Sequence, residues 1–276
     1  MMGKIYSNAV SMIVWLGLSN FPADKAVKEY KDRRLKEESQ AVPGSLEHFI
    51  IYNPSGDHSH AASDLLHREY WTRAWIRQEV VLAREITVHF GGNQLPWPDF
   101  QDFVLRPNPG LRWGTPASLL DYWRGARSSC SLLNLLQDFG TAGCSDIRDR
   151  VFSLLSLASD VDGFVTEIVD YDVDCASLFL NLLQVFSQTY LKPSLQWKRF
   201  PISSQVDTLL PMASALQIVL SVRTEDIMLA WNRAVGALEA KAPPTKTTHA
   251  VASLAQLPSW YDFLGGRIQT RLPPRR

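Results

Sequence analysis

Apolar and polar positions follow two rhythms along this chain, and the change between them divides it. Residues 10–18, VSMIVWLGL, are an almost unbroken apolar run with β-branched members and a glycine near its end, which predicts a buried strand. The next stretch, PADKAVKEYKDRRLKEESQ (22–40), is rich in helix formers with charges of alternating sign. Pro22 suits a first helical turn, so a solvated helix is expected here. YNPSGDHSHAASD (52–64) has the composition of a loop. Residues 72–83 return to a helical mix of Ala, Trp, Ile, Gln, Glu, Val and Leu, and EITVHFG (85–91) sets Ile86, Val88 and Phe90 against polar neighbours in a strand pattern. Strand, helix, helix and strand with short joins is α/β layering.

After PNPG (107–110) the rhythm becomes helical throughout. The segments 118–139, 148–158, 175–191, 206–222 and 224–241 all carry helical patterns. APPTKTTHA (242–250) reads as a linker and LPPRR as a frayed tail. No internal repeat is present. These divisions predict an α/β part over 1–104, a helical region over 105–242, and a linker and tail over 243–276.

Composition narrows the function classes. Of 276 residues, 46% are hydrophobic and 20% charged, enough for a substantial core. The 28 basic and 28 acidic residues cancel, so no electrostatic footprint for nucleic acid or an anionic membrane is expected. Three widely spaced cysteines, Cys130, Cys144 and Cys175, suggest neither a disulfide framework nor a zinc site and fit a reducing interior. SMIVWLGL (11–18) is too short to span a bilayer, and the start lacks a signal-peptide pattern; a soluble, cytoplasmic protein is expected.

Metal sites fare poorly. DYDVDCASLFLN (170–181) opens like a calcium loop but has Cys175 at the turn-glycine position and Asn181 at the bidentate-glutamate position. His58, His60 and His67 read as part of a solvated loop rather than as ligands. Catalytic-serine, phosphate-loop and zinc-protease motifs are missing.

Two segments hold candidate chemistry. Trp75, Gln78 and Glu79 are spaced i, i+3 and i+4, which puts them on one helix face. No cation lies at helical spacing from Glu79, whereas Glu69 and Arg73 form a favourable i, i+4 pair. A carboxylate among apolar neighbours is costly unless exposed, hydrogen-bonded or used. The plainest account is a rim glutamate that pairs with an arginine from elsewhere. In CSDIRDRVFSLLSLASD (144–160), Asp146 is placed as an N-cap with Asp149 three residues on. Arg148 and Arg150 then either hold a phosphate or clamp another element, and a structural clamp is the simpler reading.

Three blocks in fixed order resemble the fungal heterokaryon incompatibility (HET) domain family. MGKIYSNAVSMIVWLG (2–17) is similar to the family segment M-x-x-I-Y-x-x-A-x-x-V-x-V-W-L-G. YWTRAWIRQEVVLAREITVHFG (70–91) resembles its aromatic-W-x-R-x-W-x-x-Q-E-V-x-x-A block, and CSDIRDRVFSLLSLASD resembles the C-x-D-x-R-D-K-V-Y-A-L-L-G-L-A-x-D block that follows the domain. LPSW (257–260) echoes a downstream motif, although YDFLGG departs from its continuation. Family members ordinarily begin upstream with strands like L-S-Y-x-W-G and W-I-D-x-x-C-I-N-Q, so the resemblance implies the back half of a domain.

HET domains are held to be similar to TIR domains. The implied fold class is therefore α/β: an incomplete flavodoxin/TIR-like parallel sheet followed by a mainly helical region. TIR domains that cleave NAD carry a W-C-x-x-E-L-like motif, and RAWIRQEV (73–80) matches its spacing. The resemblance thus implies Glu79 as catalytic carboxylate, with Trp75 as pocket wall and Gln78 as partner of a ribose hydroxyl. NAD would be a substrate, with no cofactor and no metal. The nicotinamide leaves neutral, so no general acid is needed, and one carboxylate beside the oxocarbenium-like ribose suffices. A glutamate with a pKa of about 4.3 is ionised for that task. The implied role is fungal non-self recognition and regulated cell death. The implied partners are other proteins of a cell-death pathway, with homo-oligomerisation a further option. A non-catalytic adaptor or a degenerate fragment are the competing readings.

Overall fold

A computed structural model describes residues 2–40, 56–105, 115–125, 130–161, 168–190, 202–240 and 242–255. Two compact units make up the chain, Met1–Arg127 and Ser128–Arg276. The class is α/β: a three-stranded sheet followed by a mostly helical region.

The first unit opens with helix α1 (Met2–Asn8) and strand β1 (Ser11–Trp15). Helices α2 (Phe21–Gln40), α3 (Gly56–Leu66) and α4 (Ile76–Leu82) then separate β1 from β2 (Glu85–Phe90). Strand β3 (Asn93–Pro96) and helices α5 (Trp97–Leu105) and α6 (Pro116–Gly125) complete it. The strand order is β1-β2-β3. β1 and β2 run parallel from Ser11↔Glu85 to Trp15↔His89, a pairing that needs a crossover connection such as the one the intervening helices provide.

β3 was not foreseen, and it returns antiparallel, with Phe90 opposite Asn93. Gly91 and Gly92 form the two-residue turn, and Gly91 adopts φ +55. A Cβ there would come within 2.5 Å of the Ser19 side chain, so both conformation and space call for glycine.

Alternation along the strands gives the sheet two unlike faces. Val14, Ile86, Val88, Phe90 and Leu95 are buried, and α5 packs along β2 and β3. Ser11, Ile13 and Trp15 of β1 point to the opposite face and are exposed.

Two expectations for this unit are corrected. The segment 52–64 is not all loop: from Gly56 onward it is α3, whose buried Ala61, Ala62, Leu65 and Leu66 form a helical stripe beneath a histidine-rich composition. His58 sits in the core, with Nε2 2.7 Å from the Phe103 carbonyl and its ring 4.4 Å from that of Phe103. α2 is solvated on one side only, since Ala23, Ala26, Val27 and Tyr30 bury a stripe against α3 and its surroundings.

Among its described residues the second unit is helical: α7 (Leu132–Phe139), α8 (Asp149–Leu155), α9 (Cys175–Tyr190), α10 (Ile202–Val219), α11 (Thr224–Glu239) and α12 (Lys246–Leu254). Segment 118–139 is thus two helices, α6 and α7. The expected linker 242–250 instead enters α12. Thr245 and Thr248 form a reciprocal capping box there, and Thr248, Val251 and Leu254 face the core. No helix among the described residues is long and apolar enough to cross a membrane. The LPSW motif, PNPG and the tail lie outside the described residues.

Candidate functional site

The tryptophan-rich block does not form one helix. Glu69–Thr72 is a single 3-10 turn, Arg73 is extended at ψ 141, and α4 starts only at Ile76. The expected Glu69–Arg73 pair is not among the ion pairs of the described residues, because i, i+4 proximity needs a continuous helix.

Buried polar ties hold the break in place. The Trp71 indole donates to the Leu65 carbonyl at 2.8 Å, inside an aromatic cluster with Trp97 and Phe100. Arg77 reaches back from α4 and donates to the carbonyls of Trp71, at 2.8 Å, and Arg73. Burial lowers the Arg77 pKa to about 10, which leaves it cationic at neutral pH. At the other end of α4, Arg124 from α6 donates to the carbonyls of Val80 at 2.7 Å, Ala83 at 2.6 Å and Arg84 at 2.9 Å. It satisfies the helix C-terminus in place of a capping glycine.

Glu79 is half-buried on this short helix. Its Oε2 accepts a hydrogen bond from the Tyr70 hydroxyl at 2.9 Å, and its Oε1 one from the Tyr6 hydroxyl at 3.3 Å. Tyr70 comes from the 3-10 turn and Tyr6 from α1, which packs on α4. Burial, then the Glu79 charge, push both phenols above the ordinary tyrosine value, so they stay protonated and donating. The expected arginine partner is corrected to these two phenols. Among the described residues no cation forms an ion pair with Glu79.

The three residues singled out in the sequence are not equally placed. Trp75 is half-buried at the residue preceding α4, Glu79 is half-buried, and Gln78 is 1% exposed with its side chain inside the unit. Sequence reasoning missed Tyr6, Tyr70 and Arg124. Both tyrosines stand inside the family-like blocks, as IY and YW, but nothing in local spacing links them to Glu79.

Two hollows among the described residues lie elsewhere. One of about 740 Å³ lies at the start of β2, lined by Arg84, Glu85, Thr87, Trp97, Gln101 and Asp121 among others. The second, of about 600 Å³, is in the helical unit, between Ile147, Cys175, Leu220, Val222, Leu229 and neighbours. Neither is lined by Trp75, Gln78 or Glu79. No cluster of His, Cys, Asp or Glu suited to a metal ion occurs among the described residues.

The second block is a clamp. Asp146 accepts bonds from Arg148 Nε at 2.9 Å and Nη2 at 2.7 Å, and Arg148 Nη1 donates to the carbonyls of Tyr171 at 2.6 Å and Val173 at 2.7 Å. Arg150 donates to the carbonyls of Ala142 and Val219. The N-cap position of α8 belongs to Arg148 rather than Asp146, which instead accepts the Arg148 backbone N–H at 2.9 Å. Asp149 is buried and accepts the Tyr171 hydroxyl at 2.5 Å.

Residues 1–79 match the family model described as Heterokaryon incompatibility protein (HET). No curated protein and no solved structure matches the chain.

Proposed function

Taking the chain as a heterokaryon incompatibility protein by its residues 1–79, we propose that it acts in fungal non-self recognition leading to regulated cell death, in the cytoplasm, and that its first unit works by protein contact. One observation carries this reading: the open side of the sheet. A strand paired in parallel is ordinarily covered on both faces, yet Ile13 and Trp15 of β1 stand exposed, with Leu18 and Phe21 just beyond. Glu79 fits the same reading as scaffold, joining α1, the 3-10 turn and α4 through two phenols. The test is the incompatibility response of cells that express the full chain. Glu79→Gln keeps an isosteric side chain, whose carbonyl accepts one hydroxyl and whose amide N–H donates to the other, so the response persists under the contact reading. Abolition by Glu79→Gln, at unchanged protein level, contradicts it.

A second reading is NAD cleavage, with Glu79 as the catalytic carboxylate, Trp75 as pocket wall and Gln78 as ribose partner. What favours it is the character of the donors around Glu79. Neutral phenols orient a carboxylate without cancelling its charge, which leaves that charge available to a developing oxocarbenium ion.

A further inference from the structure

The hollow at the start of β2 lies within the first unit, and its polar groups divide by sign. The first turn of α5 and the last turn of α6 line it together with the start of β2 and the end of β3. Ile86 and Trp97 are 4% and 5% exposed and form its floor, while Arg84, Glu85, Pro96 and Pro98 are exposed at its rim. Packing holds Trp97 in place, with its ring 6.2 Å from that of Trp71 and 5.9 Å from that of Phe100. A volume of about 740 Å³ is that of a small-molecule site.

Asp121 sets this hollow apart from an ordinary surface dent. It is half-buried on α6, and its Oδ1 accepts both the Trp97 indole N–H, at 3.2 Å, and the Gln101 amide. Trp97 and Gln101 are spaced i, i+4, so one face of α5 supplies both donors. Both donors are neutral and fix the carboxylate without cancelling its charge. Oδ2 accepts no hydrogen bond, and Asp121 forms no ion pair, among the described residues. An oriented carboxylate with an acceptor oxygen to spare suits an ammonium group.

The opposite charge lines the same hollow. Arg124 already donates to the carbonyls of Val80, Ala83 and Arg84. The Arg84 guanidinium has no ionic partner among the described residues, so it is the cation left to take an anion. With Glu85, two carboxylates and two guanidinium groups surround the space. That balance disfavours a phosphate-rich ligand and a polyamine alike, and the apolar floor asks for an apolar body. We infer that the hollow between β2, α5 and α6 binds a small zwitterion of the amino-acid class. Asp121 holds its ammonium, Arg84 holds its carboxylate, and its apolar side chain lies on Trp97 and Ile86. A free amino acid and a short peptide share this chemistry. The site goes beyond the contact reading above and does not depend on it.

Calorimetric titration of the chain with phenylalanine and with the dipeptide Gly-Phe tests this. Binding of phenylalanine assigns the site to a free amino acid, and binding of Gly-Phe alone assigns it to a short peptide. Phenylalanine amide lacks the carboxylate and N-acetylphenylalanine lacks the ammonium, and each should bind at least tenfold more weakly than phenylalanine; the same two modifications of Gly-Phe serve if only the dipeptide binds. Asp121→Asn keeps the oxygen that accepts from Trp97 and Gln101 but removes the charge. It should weaken the zwitterion about tenfold and leave the acetylated analogue unaffected. Arg84→Gln, at an exposed position, should weaken the zwitterion by a similar factor and leave the amide unaffected. Circular dichroism of both variants should match wild type, and if Asp121→Asn loses the fold, Arg84→Gln decides alone. No binding of either probe by wild type at about 10 mM overturns the proposal. So does either singly charged analogue binding as tightly as its parent, or a folded variant binding the zwitterion as tightly as wild type.

Discussion

Glu79 in the first unit rests on two neutral phenols, whereas Asp146 in the second is clasped by the guanidinium of Arg148. Both carboxylates lie in blocks that resemble the family, and both are tied to neighbouring elements. In the Asp146 site the charge is cancelled, and the remaining donors of Arg148 go to the carbonyls of Tyr171 and Val173. Four of the five Arg148 N–H donors are engaged and its charge is paired, so the group serves as a clamp rather than as a phosphate site. In the Glu79 site two lone pairs are satisfied and the charge remains. A carboxylate offers about four acceptor sites, so the phenols orient it without saturating it. An acid beside apolar residues can therefore be built as a closed joint or as an oriented charge, and the partner's chemistry decides which.

The largest expected effect comes from opening the closed joint. Arg148→Met leaves Asp146 and two loop carbonyls without their donors and should cost about 2–3 kcal/mol of stability. Hydrogen exchange of the full chain should show the loss concentrated at α8 and at residues 171–173. Uniform protection in wild type and variant would remove the clamp from the account.

A smaller loss is expected at the other site. Tyr70→Phe removes the shorter and more buried phenol bond and should cost about 1.5 kcal/mol, and Tyr6→Phe, at 3.3 Å, below about 1 kcal/mol. In a double-mutant cycle, Tyr70→Phe combined with Glu79→Leu should show coupling, measured by chemical denaturation. Additivity of the two changes would mean that the phenol is not holding the carboxylate.

How each site came to be legible follows from reach. The strands β1 and β2 stand out as β-branched runs, and α9 to α11 as long apolar periodicities, because the period of one element is written within a few residues. Arg148 and Asp146 are two residues apart, so a cap and clamp could be suspected. Tyr70 is nine residues from Glu79 and Tyr6 seventy-three, outside any helical or strand period. The break at Arg73 carries no glycine or proline; it is imposed by the Trp71 and Arg77 bonds, which exist only in the folded unit. α3 was hidden by polar residues on its outer side. β3 has only four residues and a proline, too short for alternation to register.

The smallest contrast is in pH dependence. Hydrogen bonds from Arg148 hold the Asp146 carboxyl below its ordinary value. A carboxyl with a depressed folded-state pKa stabilises fully above its unfolded value, about 3.9, and loses that contribution as pH falls through the lower folded value. Acid denaturation of the second unit should therefore steepen below pH of about 4, and Asp146→Asn should flatten that limb while lowering stability at neutral pH. An unchanged limb would show that the guanidinium adds no net proton linkage.

The division between scaffold and catalyst at Glu79 is tested most directly by nicotinamide release. The purified chain is incubated with NAD, as wild type and as Glu79→Gln. The account predicts that wild type releases no more nicotinamide than Glu79→Gln. Release by wild type that Glu79→Gln abolishes, with the fold intact, would contradict it and move Glu79 from joint to catalyst.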